Sequence, residues 1–272
     1  MELPEILILG QHMSEELVGR EVALVEVANP KCLNLPLESF EHALVGLEIR
    51  SVEGRGKWIF IQLTSGYTLL FNTGMGADVL HYEPGGDGGR DYHIKIGLHD
   101  DSGFTVRVWW FCYLHLVKTN ELDQHKMTAG MGLTPLDDRF TVEYLETLLR
   151  DRRGKIKNFI LNQRRVAGIG NVYAHDILFE SGIHPNRIIS TLTSIEIRAL
   201  HASMRSVLRR SIDLGGLAYE FNFHGGRGGF DMNHYRVAYR PGRPCPSCGT
   251  SIEKIRTGQT SSFVCPKCQP LD

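Results

Sequence analysis

The sequence predicts an α+β fold with an N-terminal helix and β-sandwich, a helical domain, and a small cysteine-rich β-hairpin at the C-terminus. Three observations predict it. Short β-branched and aromatic segments fill residues 20–117, amphipathic segments follow them, and two cysteine pairs stand near the end of the chain. We place the domain boundaries at residues 1–135, 136–235 and 236–272.

The individual elements follow from local patterns. The segment LPEILILGQHMSEELVG has apolar residues at helical spacing and ends at Gly19, which predicts a helix. Segments such as GKWIFIQL and YTLLFN, separated by SG and GG turns, are typical of a sandwich or flattened barrel. TVEYLETLLRD, KIKNFILNQ, VYAHDILFESG and SIEIRALHASMRSVLRRSIDLGG predict helices, and the glycine-rich residues 217–235 predict a loop.

The net charge of −1 conceals two halves of opposite sign. Residues 1–150 carry 12 Lys and Arg against 22 Asp and Glu, whereas residues 151–272 carry 18 against 9. A half this basic suits a polyanionic partner, although a solvated basic face is the alternative. No apolar run approaches the about 20 residues that span a bilayer, and the start lacks a secretory signal. We therefore expect an intracellular, cytoplasmic or nucleoid-associated protein.

The strongest motif is the pair of CxxC sequences in CPSCGTSIEKIRTGQTSSFVCPKC. Each CxxC turn presents two thiolates, and four thiolates complete a tetrahedral zinc site with no open position. The segments TSIEKI and SSFV between the pairs predict two short strands. We expect one structural zinc ion on Cys245, Cys248, Cys265 and Cys268.

A second motif is the glycine-rich turn in NQRRVAGIGNVYAHDILFESG. A helix ends near Gln163, and another begins at about Asn171 after Gly168 and Gly170. Exposed amides at the start of a helix bind anions such as phosphate. Taken alone, a turn of this kind is more often structural. The neighbouring lysines and arginines favour a DNA phosphate as its ligand.

The N-terminus is a third candidate site. Because Glu2 is large and acidic, we expect the initiator Met1 to be retained, with a primary amine beside the carboxylates of Glu2 and Glu5. An ordinary α-amine titrates near pH ~8, so part of it is a neutral nucleophile at physiological pH.

These motifs together resemble the formamidopyrimidine-DNA glycosylase and endonuclease VIII family, from ELPE to CPKCQ and most specifically after Lys155. The resemblance implies a β-sandwich lobe, a helix–two-turn–helix domain carrying a zinc hairpin, and a monomer that binds double-stranded DNA with damaged bases or abasic sites. It also implies catalysis by the N-terminal amine, which displaces the base and leaves an imine that permits β-elimination.

The resemblance assigns roles to individual residues. Met1 is the implied nucleophile, Glu2 the group that assists ring opening and proton transfer, and Lys57 a hairpin lysine that contacts the phosphate by the lesion. Without the resemblance, Lys57 would be an ordinary exposed lysine. With the basic C-terminal half, the resemblance implies a DNA-binding set of Met75, Trp109, Trp110, Phe111, Lys157, Gly168, Gly170, Asn171, Arg240 and Arg256.

Three departures from the family pattern are visible. Family members commonly begin Met-Pro and expose a proline, whereas this chain offers Met1 itself. Trp109 and Trp110 stand where the family has arginine beside Phe111, and aromatic rings cannot read base edges as arginine does. In the zinc hairpin, Thr260 occupies the place where the family usually has an arginine, with Arg256 nearby in the sequence.

Two functional interpretations therefore stand. In the first, the protein is a DNA glycosylase that also cleaves abasic sites as a lyase through Met1 and Glu2. In the second, it binds lesions or abasic sites on the same scaffold without efficient catalysis. A zinc-ribbon protein with no DNA role is a third possibility. The resemblance implies that Met75, Trp109, Trp110 and Phe111 form a wedge that enters the space left by an everted base. We expect Trp109 or Trp110 to enter the DNA stack, the alternative being that both are buried in the sheet.

Overall fold

A computed structural model describes residues 1–86, 88–89 and 91–271. The chain forms two compact units. Unit 1 comprises Met1–Gly130 and Gly215–Gly229, and unit 2 comprises Met131–Leu214 and Phe230–Asp272. The chain thus returns to unit 1 for a short segment after the helices of unit 2. Within the described residues, each helix is too short or too polar to cross a bilayer.

The regular elements are numbered in chain order. The helices are α1 Leu3–Leu17, α2 Leu37–Leu44, α3 Val142–Leu149, α4 Ile156–Ile160, α5 Asn171–Glu180 and α6 Ser194–Asp213. The strands are β1 Val22–Val27, β2 Ile49–Arg55, β3 Trp58–Leu63, β4 Tyr67–Asn72, β5 Ala77–Tyr82, β6 Ile94–Leu98, β7 Gly103–Val108, β8 Tyr113–Lys118, β9 Glu253–Thr257 and β10 Thr260–Val264.

Unit 1 is a β-sandwich, as the sequence predicts. One antiparallel sheet has the order β1-β6-β7-β5, and the other has the order β2-β3-β4-β8. A single apolar core contains inward-facing residues of both sheets, including Val25 and Phe104 from the first and Ile61 and Phe71 from the second. One face of each sheet packs in this core, which is the arrangement of a β-sandwich.

Helix α1 closes one end of the same core. Ile6, Leu9 and Met13 are at most 1 % exposed, because the apolar stripe of α1 faces the sandwich. The helix lies close to β2: a Cβ added to Gly54 would lie 2.4 Å from the carbonyl oxygen of Ile6. Glycine at this position therefore sets the approach of α1, and with it the position of the N-terminus.

Unit 2 is helical apart from the hairpin of β9 and β10. Helix α5 packs on α6, and α6 begins with a capping box between Thr193 and Glu196. The helix predicted to end near Gln163 ends at Ile160, because the chain then enters a turn held by side-chain hydrogen bonds. Residues 217–235 contain no helix or strand, in agreement with the predicted loop.

Candidate active site and nucleic-acid interface

The N-terminal amine lies in a buried, acidic environment. Met1 is 6 % exposed, and its nitrogen is 3.7 Å from Oε1 of Glu220. Glu2 is 8 % exposed and is the N-cap residue of α1, and its amide donates to Oε2 of Glu5 at 3.1 Å. The sequence puts the Met1 amine beside the carboxylates of Glu2 and Glu5, and the structure brings the three residues together at the start of α1.

Glu5 also holds a distant part of the chain. Its Oε1 accepts a hydrogen bond from the amide of Leu217 at 3.2 Å, and a Cβ added to Gly216 would lie 3.3 Å from the same oxygen. Gly216 has φ +85, a conformation that favours glycine. The Glu5 carboxylate therefore joins the N-terminus to the segment that carries Glu220.

Glu220 is the functional candidate that the sequence analysis missed. Its side chain is 5 % exposed, and its Oε2 has no hydrogen-bond partner among the residues that the structure describes. Burial raises the pKa of Glu220; the Met1 amine opposes this rise, whereas the charges of Glu2 and Asp78 add to it. The available signal was one carboxylate within the otherwise uncharged segment LAYEF.

The predicted wedge residues lie on two neighbouring loops. Met75 is 70 % exposed and Trp110 is 79 % exposed, so both side chains are largely open to solvent. The loops are in direct contact: a Cβ on Gly74 would lie 2.0 Å from the carbonyl oxygen of Phe111. The structure thus brings Met75 and the 109–111 segment together.

The two tryptophans differ in their surroundings. The Trp109 indole donates to Oδ1 of Asp78 at 3.2 Å, and its ring lies against Gly76 and 6.5 Å from the ring of Tyr219. These contacts fix Trp109 on unit 1. Trp110 is the more exposed of the two, so the geometry favours Trp110 as the ring that enters a DNA stack.

Lys57 lies in the turn between β2 and β3, the hairpin position that the resemblance implies. Asn72 connects this turn to the wedge: its Nδ2 donates to the carbonyl of Lys57 at 2.7 Å, and its Oδ1 accepts from the Gly74 amide at 2.8 Å. Lys57 and Met75 are therefore carried by one hydrogen-bonded framework within unit 1.

In unit 2, the glycine-rich turn before α5 is held by Gln163. Oε1 of Gln163 accepts from the Gly168 amide at 2.8 Å, and its Nε2 donates to the carbonyl of Ile169 at 2.8 Å. Gly168 has φ +95, and Gly170 is the N-cap of α5. Oδ1 of Asn171, the first residue of α5, is buried and has no hydrogen-bond partner within the described part of the chain. The turn is thus preorganised, with an unpaired polar group at the start of the helix.

Lys157 is not where a phosphate contact requires it to be. The residue is fully buried, and its Nζ donates to Ser261 O at 2.6 Å, Ser262 Oγ at 3.0 Å and Thr260 Oγ1 at 3.3 Å. Burial lowers the pKa of Lys157 to about 8. This corrects the expectation from sequence, because all three donor positions of the ammonium are directed at β10 rather than at solvent. Lys157 joins α4 to the hairpin.

The four cysteines of the hairpin form a metal-binding cluster. Their sulfur atoms all lie within 4.8 Å of one another, with 3.8 Å between Cys245 and Cys268 and 3.4 Å between Cys248 and Cys265. A tetrahedral site with Zn–S bonds of about 2.3 Å separates its sulfurs by about 3.8 Å. The cluster therefore fits a structural zinc ion, as the two CxxC motifs predict.

The two remaining predicted DNA contacts are Arg256, on the hairpin, and Arg240, which precedes it in the chain. Arg256 is exposed on β9, and its Nε donates to the carbonyl of Gly258 at 3.1 Å. Arg240 is half-buried, and its Nη1 donates to the carbonyl of Tyr235 at 2.6 Å. Arg256 is thus the more accessible cation of the two.

Comparison with known proteins gives matches along nearly the whole chain. Three family models match: the formamidopyrimidine-DNA glycosylase N-terminal domain over residues 1–109, the formamidopyrimidine-DNA glycosylase H2TH domain over residues 131–222, and the zinc finger found in FPG and IleRS over residues 242–271. The last match contains all four cysteines.

Relatives and solved structures agree with the family models. The chain is 33% identical over 279 residues to the formamidopyrimidine-DNA glycosylase of Pelotomaculum thermopropionicum, with 99% of each chain covered. It is 35% identical over 273 residues to that of Chloroflexus aggregans, covering 99% of this chain and 98% of the relative.

The fold gives the same result. The Lactococcus lactis Fpg in complex with DNA containing an abasic site superposes with a TM-score of 0.89 at 25% identity, covering 99% of each chain. The MutM (Fpg) protein of Thermus thermophilus superposes with a TM-score of 0.88 at 26% identity over 100% of each chain. The chain belongs to the formamidopyrimidine-DNA glycosylase family.

Proposed function

We propose that the protein removes damaged bases from double-stranded DNA and then cleaves the strand at the resulting abasic site. The observation that carries this proposal is the buried Met1 amine, which lies 3.7 Å from Glu220 and beside Glu2 at the start of α1. A buried primary amine surrounded by carboxylates suits a nucleophile whose protons must be moved during the reaction.

The chemistry follows from these groups. The lone pair of the neutral Met1 amine attacks C1′, and the bond from C1′ to the damaged base breaks, its electron pair leaving with the base. The nitrogen then loses a proton, and opening of the sugar ring gives an imine. The role proposed for Glu2 is proton transfer to and from the sugar during ring opening.

The DNA contacts are proposed from exposure and charge. On unit 1, Lys57 is assigned to a phosphate by the lesion, and Met75, Trp110 and Phe111 to the space left by the everted nucleotide. On unit 2, the turn at Gly168 and Gly170 with Asn171 is assigned to a phosphate, and Arg256 and Arg240 are assigned to the backbone. Since its substrate is DNA, we also propose that the protein works at the nucleoid.

The family membership favours the catalytic interpretation over a lesion-binding protein without activity. The relatives in Pelotomaculum and Chloroflexus are named as glycosylases, and the alignments cover at least 98% of each chain. The feature that favours the alternative is the absence of a proline at the N-terminus. A primary amine forms the same carbon–nitrogen bond, so the substitution does not remove the chemistry.

The test compares wild type with Glu2→Gln on duplexes that carry an oxidised base or an abasic site. Wild type should release the base and cleave the strand, whereas the variant should bind with similar affinity and release the base at least about a hundredfold more slowly. The exposed Glu15→Gln serves as the matched control on the same helix. Tight binding by wild type without cleavage of either duplex would contradict the proposal.

A further inference from the structure

The amine at Met1 differs from a proline in one property that matters for the second half of the reaction. A proline nitrogen bonded to C1′ gives an iminium ion that has no N–H and stays positively charged at any pH. A primary amine gives an imine whose N–H proton is lost as the pH rises. The neutral imine is a poor electron sink, so elimination requires that this proton be retained.

The structure places one carboxylate where it meets this requirement. Oε1 of Glu220 lies 3.7 Å from the Met1 nitrogen, and the Glu220 side chain is 5 % exposed. A carboxylate close to a nitrogen in a water-poor site stabilises positive charge on that nitrogen more strongly than it would in water. Oε2 of Glu220 has no hydrogen-bond partner among the described residues, so the group is not committed to a structural contact there.

We propose that Glu220 is a catalytic residue that keeps the imine on Met1 protonated during β-elimination. This role rests on the proposed function, because it requires an imine at Met1. In the step itself, the C2′–H bond breaks and its proton passes to water. The electron pair forms the C1′=C2′ bond, and the pair of the C1′=N bond moves to nitrogen. In the resulting enamine, the nitrogen lone pair re-forms the C1′=N bond and the C1′=C2′ pair moves to form C2′=C3′. The C3′–O bond breaks at the same time, and its electron pair leaves with the 3′ phosphate.

Other charged groups around this nitrogen have different roles. Glu2 takes part in the capping box of α1, and Glu5 accepts hydrogen bonds from the amides of Glu2 and Leu217. From β5, Asp78 accepts from the Trp109 indole and pairs with Arg107 at 3.3 Å. Glu220 forms an ion pair with the reacting nitrogen at 3.7 Å, and Glu2 and Asp78 add negative charge around Glu220.

The experiment measures strand cleavage of abasic DNA under single-turnover conditions from about pH 6 to about pH 9 in a set of four proteins. Residue 220 is either Glu or Gln, and residue 1 is either Met or Pro, which gives the four proteins. The proline at residue 1 is encoded after an initiator methionine that is trimmed. With Met1, Glu220→Gln should cleave at least about tenfold more slowly near pH 8. Its rate should also fall about tenfold per pH unit above the pKa of the unprotected imine.

The proline background separates catalysis from structure. Because the proline iminium has no proton to lose, Glu220→Gln should change its cleavage rate by less than about twofold and add no pH dependence. Equal slowing in both backgrounds would overturn the proposal, since it would mean that Glu220 only shapes the site. Glu220→Asp, which keeps the charge, should recover part of the rate with Met1, and Glu53→Gln on the exposed face of β2 should cleave like wild type.

Borohydride reduction separates a failure of the Glu220 role from a failure of Met1 as the nucleophile. Borohydride reduction of wild type on abasic DNA reports whether an imine forms at residue 1. If the adduct forms equally in wild type and Glu220→Gln, and the two cleave with the same rate and pH profile, only the role of Glu220 fails. If wild type forms no adduct at residue 1, the proposed nucleophile fails, and the role of Glu220 fails with it.

Discussion

Glu5 and Leu217 are joined by a hydrogen bond of 3.2 Å between the Glu5 carboxylate and the Leu217 amide. The other oxygen of Glu5 accepts from the amide of Glu2 at 3.1 Å. One buried carboxylate thus fixes the start of α1 and the segment that leads to Glu220. The distance between the Met1 amine and Glu220 depends on this bridge.

Glu5→Gln should weaken this bridge. The amide keeps the shape of the side chain but directs an NH₂ group at one of two backbone amides, leaving a buried donor unpaired. We expect the free energy of unfolding to fall by about 1–3 kcal/mol in urea denaturation. Glu15→Gln, exposed on the same helix, should change it by less than about 0.5 kcal/mol. Equal stability of wild type and Glu5→Gln would show that the bridge is not formed in solution.

The stability of wild type relative to Lys157→Met should depend on pH. Burial lowers the pKa of Lys157 from its ordinary 10.5 to about 8. Between these values the folded state binds fewer protons at this site than the unfolded state, so stability rises with pH across that window. Urea denaturation at several pH values should therefore show wild type gaining stability relative to the variant from about pH 8 to about pH 10.5. A difference that stays constant would place the Lys157 ammonium in water.

Arg256 and Lys157 should differ in DNA binding. Arg256→Ala should weaken binding to damaged and undamaged duplexes alike and reduce the salt slope by about one, because an exposed cation on a phosphate releases a counterion. Lys157→Met should leave the slope unchanged, because Lys157 is fully buried. Fluorescence anisotropy over a series of salt concentrations measures both. An unchanged slope for Arg256→Ala would remove it from the proposed interface.

Trp110 should report directly on an everted nucleotide. We expect the fluorescence change on binding abasic DNA to persist in Trp109→Phe and to be lost in Trp110→Phe, since Trp109 is held by Asp78. Trp110→Ala should also weaken binding by about 1–3 kcal/mol through the lost stacking. If Trp110→Phe kept the full change, Trp109 would be the ring that moves into the stack.

Much of the fold could be predicted because its elements have strong local patterns. The strands of the sandwich are short β-branched and aromatic segments bounded by turn residues, and the apolar stripe that predicts α1 is the face that the structure buries. Helix α2 was not predicted, since eight residues give only about two turns of periodicity. Helix α4 is shorter than predicted, because side-chain hydrogen bonds of Gln163 shape the turn that follows.

The candidate site was predictable where chemistry and position coincide in the sequence. Met1, Glu2 and the four cysteines are of this kind. Glu220 was not, because its contact with Met1 depends on a bridge between residues far apart in the chain. Lys157 was assigned wrongly to a phosphate, because a basic residue in a basic region gives no sign that tertiary packing will bury it.

The identity of the residue that carries trapped DNA decides whether the Met1 amine is the nucleophile. Wild type is incubated with abasic DNA and borohydride, digested, and sequenced by mass spectrometry. We predict that the reduced adduct lies on the nitrogen of Met1, and that a protein extended by one residue before Met1 forms no adduct there, because that nitrogen is then an amide. An adduct on a lysine such as Lys57, with the terminal amine unmodified, would rule out Met1 as the nucleophile.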